Sequence, residues 1–273
     1  MIISDKKRFV FLHVPKCAGT TVRKALSAWD ETGGRFSNPT LKHPVLGVVD
    51  SAHLPLSVLQ KHFPEAFGKV AAYPAFALVR DPEDRFRSAF SQYVNMHGEK
   101  RIETMSRDEI GKAVDTAVAY LSRHADEAEP LPRQFVHFQR QTDYVCLGGS
   151  RLVENLYPIA RLREFFREIS KVVGGDVASG LNGGGRIKEN ESHVYRNAMY
   201  RAGGELLRAG FRSLGVSQRW PWIARWGKGV LMTPRDNKLS SILHSQQVRE
   251  FVENYYAADF DLWETVLQEH PDR

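Results

Sequence analysis

Residues 9–29 constrain the fold more than any other stretch of the chain. Phe9-Val10-Phe11-Leu12-His13-Val14 is a continuous, partly β-branched apolar run cut off by Pro15, the pattern of a parallel strand buried on both faces. The period then changes. After Gly19-Thr20-Thr21, Val22, Ala25, Leu26 and Trp29 recur at i, i+3, i+4 and i+7, which predicts an amphipathic helix. A buried strand, a tight loop and a helix in that order open an α/β fold.

The alternation continues. Val45-Leu46-Gly47-Val48-Val49 reads as a second apolar strand, followed by Asp50-Ser51-Ala52-His53-Leu54-Pro55, so that His53 is expected just beyond a strand end. A third strand, Ala75 to Arg80, runs into Asp81-Pro82-Glu83-Asp84, where Asp81 is suited to cap a helix, Pro82 to start it and the acids to its first turn. Phe86, Ala89, Phe90 and Tyr93 carry that helix on. Ser106 and Glu109 form a capping box for a helix over 106–125. Tyr144 to Leu147 and Leu156 to Ile159 read as short strands, and Leu162, Phe165, Phe166, Ile169 and Val173 share one face of the next helix. Gly174-Gly175 and Asn182-Gly183-Gly184-Gly185 mark loops, and a last helix is predicted from Gln246 to about Leu267.

This pattern predicts an α/β fold with a mainly parallel central sheet flanked by helices on both faces, in which ligands bind beyond the carboxyl ends of the strands. With 273 residues, 42% of them hydrophobic, the chain can supply the core of one domain, here expected over 1–273 with a divergent aromatic and basic segment at 196–240. Cys17 and Cys146 make neither a disulfide framework nor a metal-spaced pair. No metal is expected. The N-terminal apolar run is too short for a signal or a membrane span, and a cytoplasmic protein is the expectation. The charge of 38 − 32 = +6 is small and dispersed, which argues against a nucleic-acid partner.

Three segments carry the chemistry. His13 to Thr21 sets small residues, Lys16 and two hydroxyls between a strand and a helix start, where backbone N–H groups, the helix dipole and an ammonium converge on an anion. It is not a Walker A loop, because Lys16 precedes Gly19 instead of adjoining the Thr. Arg80 at a strand end offers a forked donor, and Ser88 adds a hydroxyl from the next helix, together a grip for a phosphate. Arg85, in the same stretch, is suited equally to this grip and to a local pair with Asp81 or Glu83. A histidine with near-neutral pKa at a cleft edge is suited to take a proton from a hydroxyl; His53 is the first candidate and His13, at the mouth of the first loop, its rival.

These segments resemble those of sulfotransferases that use 3′-phosphoadenosine 5′-phosphosulfate (PAPS), in particular carbohydrate O-sulfotransferases of the heparan-sulfate-modifying type. Pro15-Lys16-Cys17-Ala18-Gly19-Thr20-Thr21 is similar to the family's 5′-phosphosulfate loop, Arg80 to Ser88 to its 3′-phosphate motif, and Ala52-His53-Leu54-Pro55 to the segment holding its histidine base, with Ala52 in place of a glycine. The resemblance implies a P-loop NTPase-like three-layer fold. It assigns cofactor contacts to Lys16, Cys17, Ala18, Gly19, Thr20, Thr21, Arg80 and Ser88, and further ones to Lys188, Asn190 and Ser192, which match a late N-x-S element. Tyr255 to Phe260 is similar to a closing Y-x-x-D-F helix, read as architecture.

The activity so implied is in-line transfer of a sulfuryl group from PAPS to a hydroxyl of a carbohydrate or glycolipid, leaving 3′-phosphoadenosine 5′-phosphate (PAP), with Lys16 stabilising the leaving phosphate. A P-loop kinase or NTPase, with Asp50 as the magnesium carboxylate, is the alternative, and a polyanion-binding module a third reading. Trp220, Trp222 and Trp226 lie in a cationic cluster suited to sugar stacking, peripheral membrane contact or local packing.

Overall fold

In the computed structural model the described residues are 1–125, 130–177 and 237–271, with the backbone of 193–195 and 232–234. Phe9–Leu12 (β2) is fully buried, as its unbroken apolar run requires, and it pairs in parallel with Ala75–Val79 (β5) through Leu12 and Ala77. Asn155–Pro158 (β8) adds a third parallel strand beside β5. Ile2–Ser4 (β1), a strand the sequence pattern did not reveal, closes the other side antiparallel to β2. The chain reverses over 5–8 with Arg8 in the left-handed region at φ 52°. Glu31 N–H donates to Ile3 O at 3.0 Å and so covers part of the outer edge of β1. The order β1-β2-β5-β8 is therefore mostly parallel, with the C-terminal ends of β2 and β5 side by side.

Helices flank this sheet. Gly19–Leu26 (α1) follows β2 and leads into a 3-10 turn at Ser27–Trp29, while Leu56–His62 (α2) and Pro64–Ala72 (α3) precede β5. The strand reading of Val45 to Val49 is corrected. Gly47–Val49 (β4) pairs only with Leu41–His43 (β3), in a hairpin outside the main sheet, and Val45 and Val48 are 73% and 49% exposed. Gly47 at φ 69° supplies the left-handed residue that ends a three-residue hairpin loop, and local turn geometry prevails over the apolar run.

Pro82–His97 (α4) starts as expected, with the Asp81 carboxylate accepting from Asp84 N–H at 2.9 Å. Arg107–Arg123 (α5) has the capping box of Ser106 and Glu109 and buries Ile110, Val114, Ala117 and Leu121. Tyr144 and Val145 belong not to a strand but to a single helical turn, Thr142–Val145 (α6); Cys146–Leu147 (β6) and Ser150–Arg151 (β7) form a small hairpin after it. Leu162–Val173 (α7) buries the five apolar residues its spacing singled out, and Gly174 ends it at φ 72°.

The chain separates into two compact units, 1–186 with 242–273, and 187–241. In the second, Met232–Pro234 (β10) pairs antiparallel with His193–Tyr195 (β9). Asn237–Leu243 (α8) precedes two helices, Gln246–Tyr255 (α9) and Ala257–Glu269 (α10), where one was expected. The break at Tyr256 (φ −107°, ψ 22°) places Asp259 in a first helical turn, pointing into the core.

Asp259 and Arg85 are both 0% exposed and lie 3.5 Å apart, so Arg85 pairs across the fold and not with Asp81 or Glu83. Burial opposes the Arg85 charge, yet Tyr256 and Asp259 beside it raise its pKa. Asp259→Ala should therefore leave an uncompensated buried cation and cost about 3–5 kcal/mol in urea denaturation. Loss of the half-buried cap in Asp81→Ala should cost only about 1 kcal/mol. Equal losses would show that the buried pair contributes nothing beyond packing.

Candidate functional site

The site forms where β2 and β5 end. Beyond β2, Lys16 and Ala18 take the left-handed conformation at φ 67° and φ 57°. Such strain in non-glycine residues costs about 1–2 kcal/mol each, and the Cys17 N–H between them bonds back to Val14 O at 3.4 Å. The first helical bonds of α1 are made by Thr21 and Val22 N–H to Ala18 O, so the Gly19 and Thr20 amides precede the ladder and point out of the helix start. Ala18 and Thr21 are half-buried and Thr20 exposed. Cys17 differs from its neighbours: its side chain turns inward, Sγ donating to Gln141 Oε1 at 3.4 Å, and burial pushes the thiol up to about 12.

Lys16 reaches across to α4, where its ammonium donates to Gln92 Oε1. Gln92 lies one turn after Ser88 on the same helical face, so the lysine loop and the half-buried Ser88 border one space. Arg80, the residue after β5, is held by its backbone. Its N–H donates to Gln141 Oε1 at 2.8 Å, and its carbonyl accepts from Gln141 Nε2 at 2.8 Å. Its guanidinium stands 3.7 Å from Asp84, which is half-exposed and shared with Arg87, a pairing of small worth. Arg80 Nε is buried and has no partner.

His53 ends a 3-10 turn, Ser51–His53. Ser51 Oγ anchors the turn by donating to Arg35 O at 2.6 Å, and Asp50 caps it by accepting from Ala52 N–H at 3.0 Å. Ala52 adopts ordinary negative φ, so this turn has no need of a glycine. Asp50 caps a turn outside the main sheet, a place unlike that of a carboxylate following a buried sheet strand.

Three imidazoles gather here. The His13 and His53 rings lie 4.3 Å apart, and those of His53 and His137 5.5 Å. His53 Nδ1 is 3.2 Å from His13 O; a carbonyl only accepts, so Nδ1 carries the hydrogen and the Nε2 lone pair stays available. His13 is boxed in. Its Nδ1 is buried without a partner, and a Cβ built on Gly19 would lie 1.7 Å from its Cδ2 and 2.1 Å from its Nε2. Gly19 thus admits the His13 ring against the helix start.

Sequence reasoning missed His137, in the 3-10 turn Val136–Phe138, whose Nε2 lies 3.2 Å from Gln92 Nε2 and whose carbonyl accepts from Arg85 Nη1. It also missed Gln92 and Gln141. No local motif marks them; a histidine within Phe135-Val136-His137-Phe138 was the one available signal. The near-neutral histidine expected at the cleft edge is not observed. Burial pushes His53 and His137 down to about 3, and His13 well below its ordinary value. Lys188, Asn190, Ser192, Trp220, Trp222 and Trp226 lie outside the described residues.

A family model described as "Sulfotransferase family" matches residues 1–264. No curated protein and no solved structure matches the chain. Among the described residues no helix is long and apolar enough to cross a membrane.

Gly19→Ala should cost about 1–3 kcal/mol as the His13 ring is displaced. Gly111→Ala on α5, where an added Cβ meets nothing, should be neutral or gain up to about 1 kcal/mol. Chemical denaturation of the two variants checks this; equal effects would remove the steric argument.

The histidines also set a pH dependence. Their folded pKa values lie below the unfolded value, so the unfolded chain binds more protons and stability falls as pH drops below about 6.5, by about 1.4 kcal/mol per pH unit for each histidine titrating in the unfolded chain alone. Unfolding free energies between pH 7 and 4.5 should show this, with the slope smaller by about one proton in His53→Gln. An unchanged slope would contradict the burial assigned to His53.

Proposed function

Because the chain belongs to the sulfotransferase family, we propose that it transfers a sulfuryl group from PAPS to an acceptor hydroxyl, with the loop after β2 gripping the 5′ end of the donor and Arg80 and Ser88 the 3′-phosphate. The observation that carries this reading is the pair of anion-seeking loops at the ends of two adjacent parallel strands, tied to each other through Gln141. The residues suit the donor. The helix start that follows two left-handed residues, the Lys16 ammonium held beside it by Gln92, and the buried Arg80 Nε without a hydrogen-bond partner together suit a polyanion.

The bound donor supplies an electrophilic sulfur, and the chain supplies position and charge. Lys16, the Ala18, Gly19 and Thr20 amides and the Thr20 and Thr21 hydroxyls offset the negative charge that grows on the departing phosphate oxygen. His53 takes the proton of the attacking hydroxyl at Nε2. Its partner for this role, His13, is shut against Gly19, which favours His53 as the base. The low pKa of His53 keeps it unprotonated at neutral pH and makes it a weak base, so proton transfer accompanies the attack on sulfur and does not precede it.

The acceptor we propose is a hydroxyl on a carbohydrate or glycolipid, following the likeness of the motifs. Transfer of labelled sulfate from PAPS to a panel of glycans and small alcohols, read by mass spectrometry, tests both donor and acceptor. His53→Ala should lose at least about 100-fold in kcat while PAP binding survives, and Arg80→Ala should weaken PAP binding itself by about tenfold or more. Wild-type turnover in His53→Ala would remove the base role from this residue.

A further inference from the structure

Gln141 is completely buried, and its polar groups bond to three separate segments, at Cys17, Arg80 and Asp259. Oε1 accepts from Arg80 N–H at 2.8 Å and from Cys17 Sγ at 3.4 Å; Nε2 donates to Arg80 O at 2.8 Å; the backbone N–H donates to Asp259 Oδ2 at 2.8 Å. One amide therefore touches both anion loops. It pairs with the Arg80 backbone on both sides, as a neighbouring strand would, at the point where the ladder between β2 and β5 has ended.

The amide is itself held from behind. Asp259 Oδ1 accepts from Thr142 N–H at 2.9 Å and Thr142 Oγ1 at 3.0 Å, and the carboxylate faces Arg85. Arg85 in turn donates to the His137 carbonyl at 3.1 Å. A buried side chain so fully bonded has one position open to it, and the two loops it joins inherit their separation from that position.

We propose that Gln141 is a positioning residue that sets the spacing between the lysine loop and Arg80, and thereby determines the preference for nucleotides bearing a 3′-phosphate over those that lack it. This rests on the nucleotide reading given above. A nucleotide with phosphates at both ends needs both loops in register, whereas one with a 5′-phosphate alone needs only the first. Loss of the clasp leaves each loop its own donors and removes their fixed distance. The energetic loss then falls on the doubly anchored ligand.

The test is calorimetric titration of PAP and of 5′-AMP into wild type, Gln141→Leu and Gln141→Glu. Gln141→Leu should weaken PAP by about tenfold or more and 5′-AMP by less than about threefold. Equal losses for both nucleotides, or none for PAP, would overturn the proposal, since a merely structural residue affects both alike. Gln141→Glu keeps the acceptor oxygen and sets a second oxygen against the Arg80 carbonyl. Its protonated form regains a donor, so its PAP affinity relative to wild type should recover as pH is lowered from 8 to 5.5. A ratio that does not change with pH would equally overturn the proposal, and this arm stands if the leucine variant does not fold. A wild-type protein that binds neither nucleotide would remove the function proposed above together with this role. A wild type that prefers PAP, with variants that keep the preference, would remove the role alone.

Discussion

The carboxylate of Asp259 is the point on which the interior turns. Fully buried, it is compensated by two backbone N–H groups, one hydroxyl and the Arg85 guanidinium, so the cost of its desolvation is offset locally. That arrangement joins helices far apart in the chain, α4 and α10, to the turn that carries Gln141. A charge in such a place tolerates little displacement, because each shift exposes a donor or acceptor without a partner. Rigidity at the back of the site comes from this requirement more than from apolar packing, which adapts more easily.

From there the order passes outward. Gln141 joins the two loops, and Arg85 reaches the His137 carbonyl, whose ring stands beside His53. His53 is held from three sides: by its own turn through Ser51, by the His13 carbonyl, and by Tyr144 Oη at 3.4 Å from its carbonyl. Burial lowers its pKa while the His13 carbonyl fixes its tautomer, so two features of one environment determine the protonation state and the direction of the lone pair. The left-handed residues Lys16 and Ala18 persist because strand, helix and clasp leave the loop no relaxed alternative.

Much of this was legible in local pattern. The strand, loop and helix at the start, the capped helix after Arg80 and the face of α7 all follow from spacing and punctuation that act within a few residues. The failures share a cause. Val45 to Val49 has the composition of a buried strand, but Pro44 and Gly47 turn it into an exposed hairpin. Tyr144 to Leu147 begins as a helical turn because Asp259, more than a hundred positions away, caps Thr142. The last helix breaks at Tyr256 for a similar reason: Asp259 has to enter the core while Tyr256 Oη donates to Phe138 O at 2.7 Å. In each case a long-range or turn constraint outweighed an average local preference.

The order of residues by itself determined that two anion-seeking segments, each following a buried strand, would exist, since chain stiffness, helix capping and apolar periodicity are local properties. It also put a histidine between them. Only the tertiary structure decided that the two strands are neighbours, that Arg85 faces Asp259 and not its own helix, that His13 is closed against Gly19 while His53 keeps a free lone pair, and that Gln141 and His137 belong to the site at all. Those outcomes depend on which distant groups become buried together, and the need of buried polar groups for partners acts only once the chain has folded.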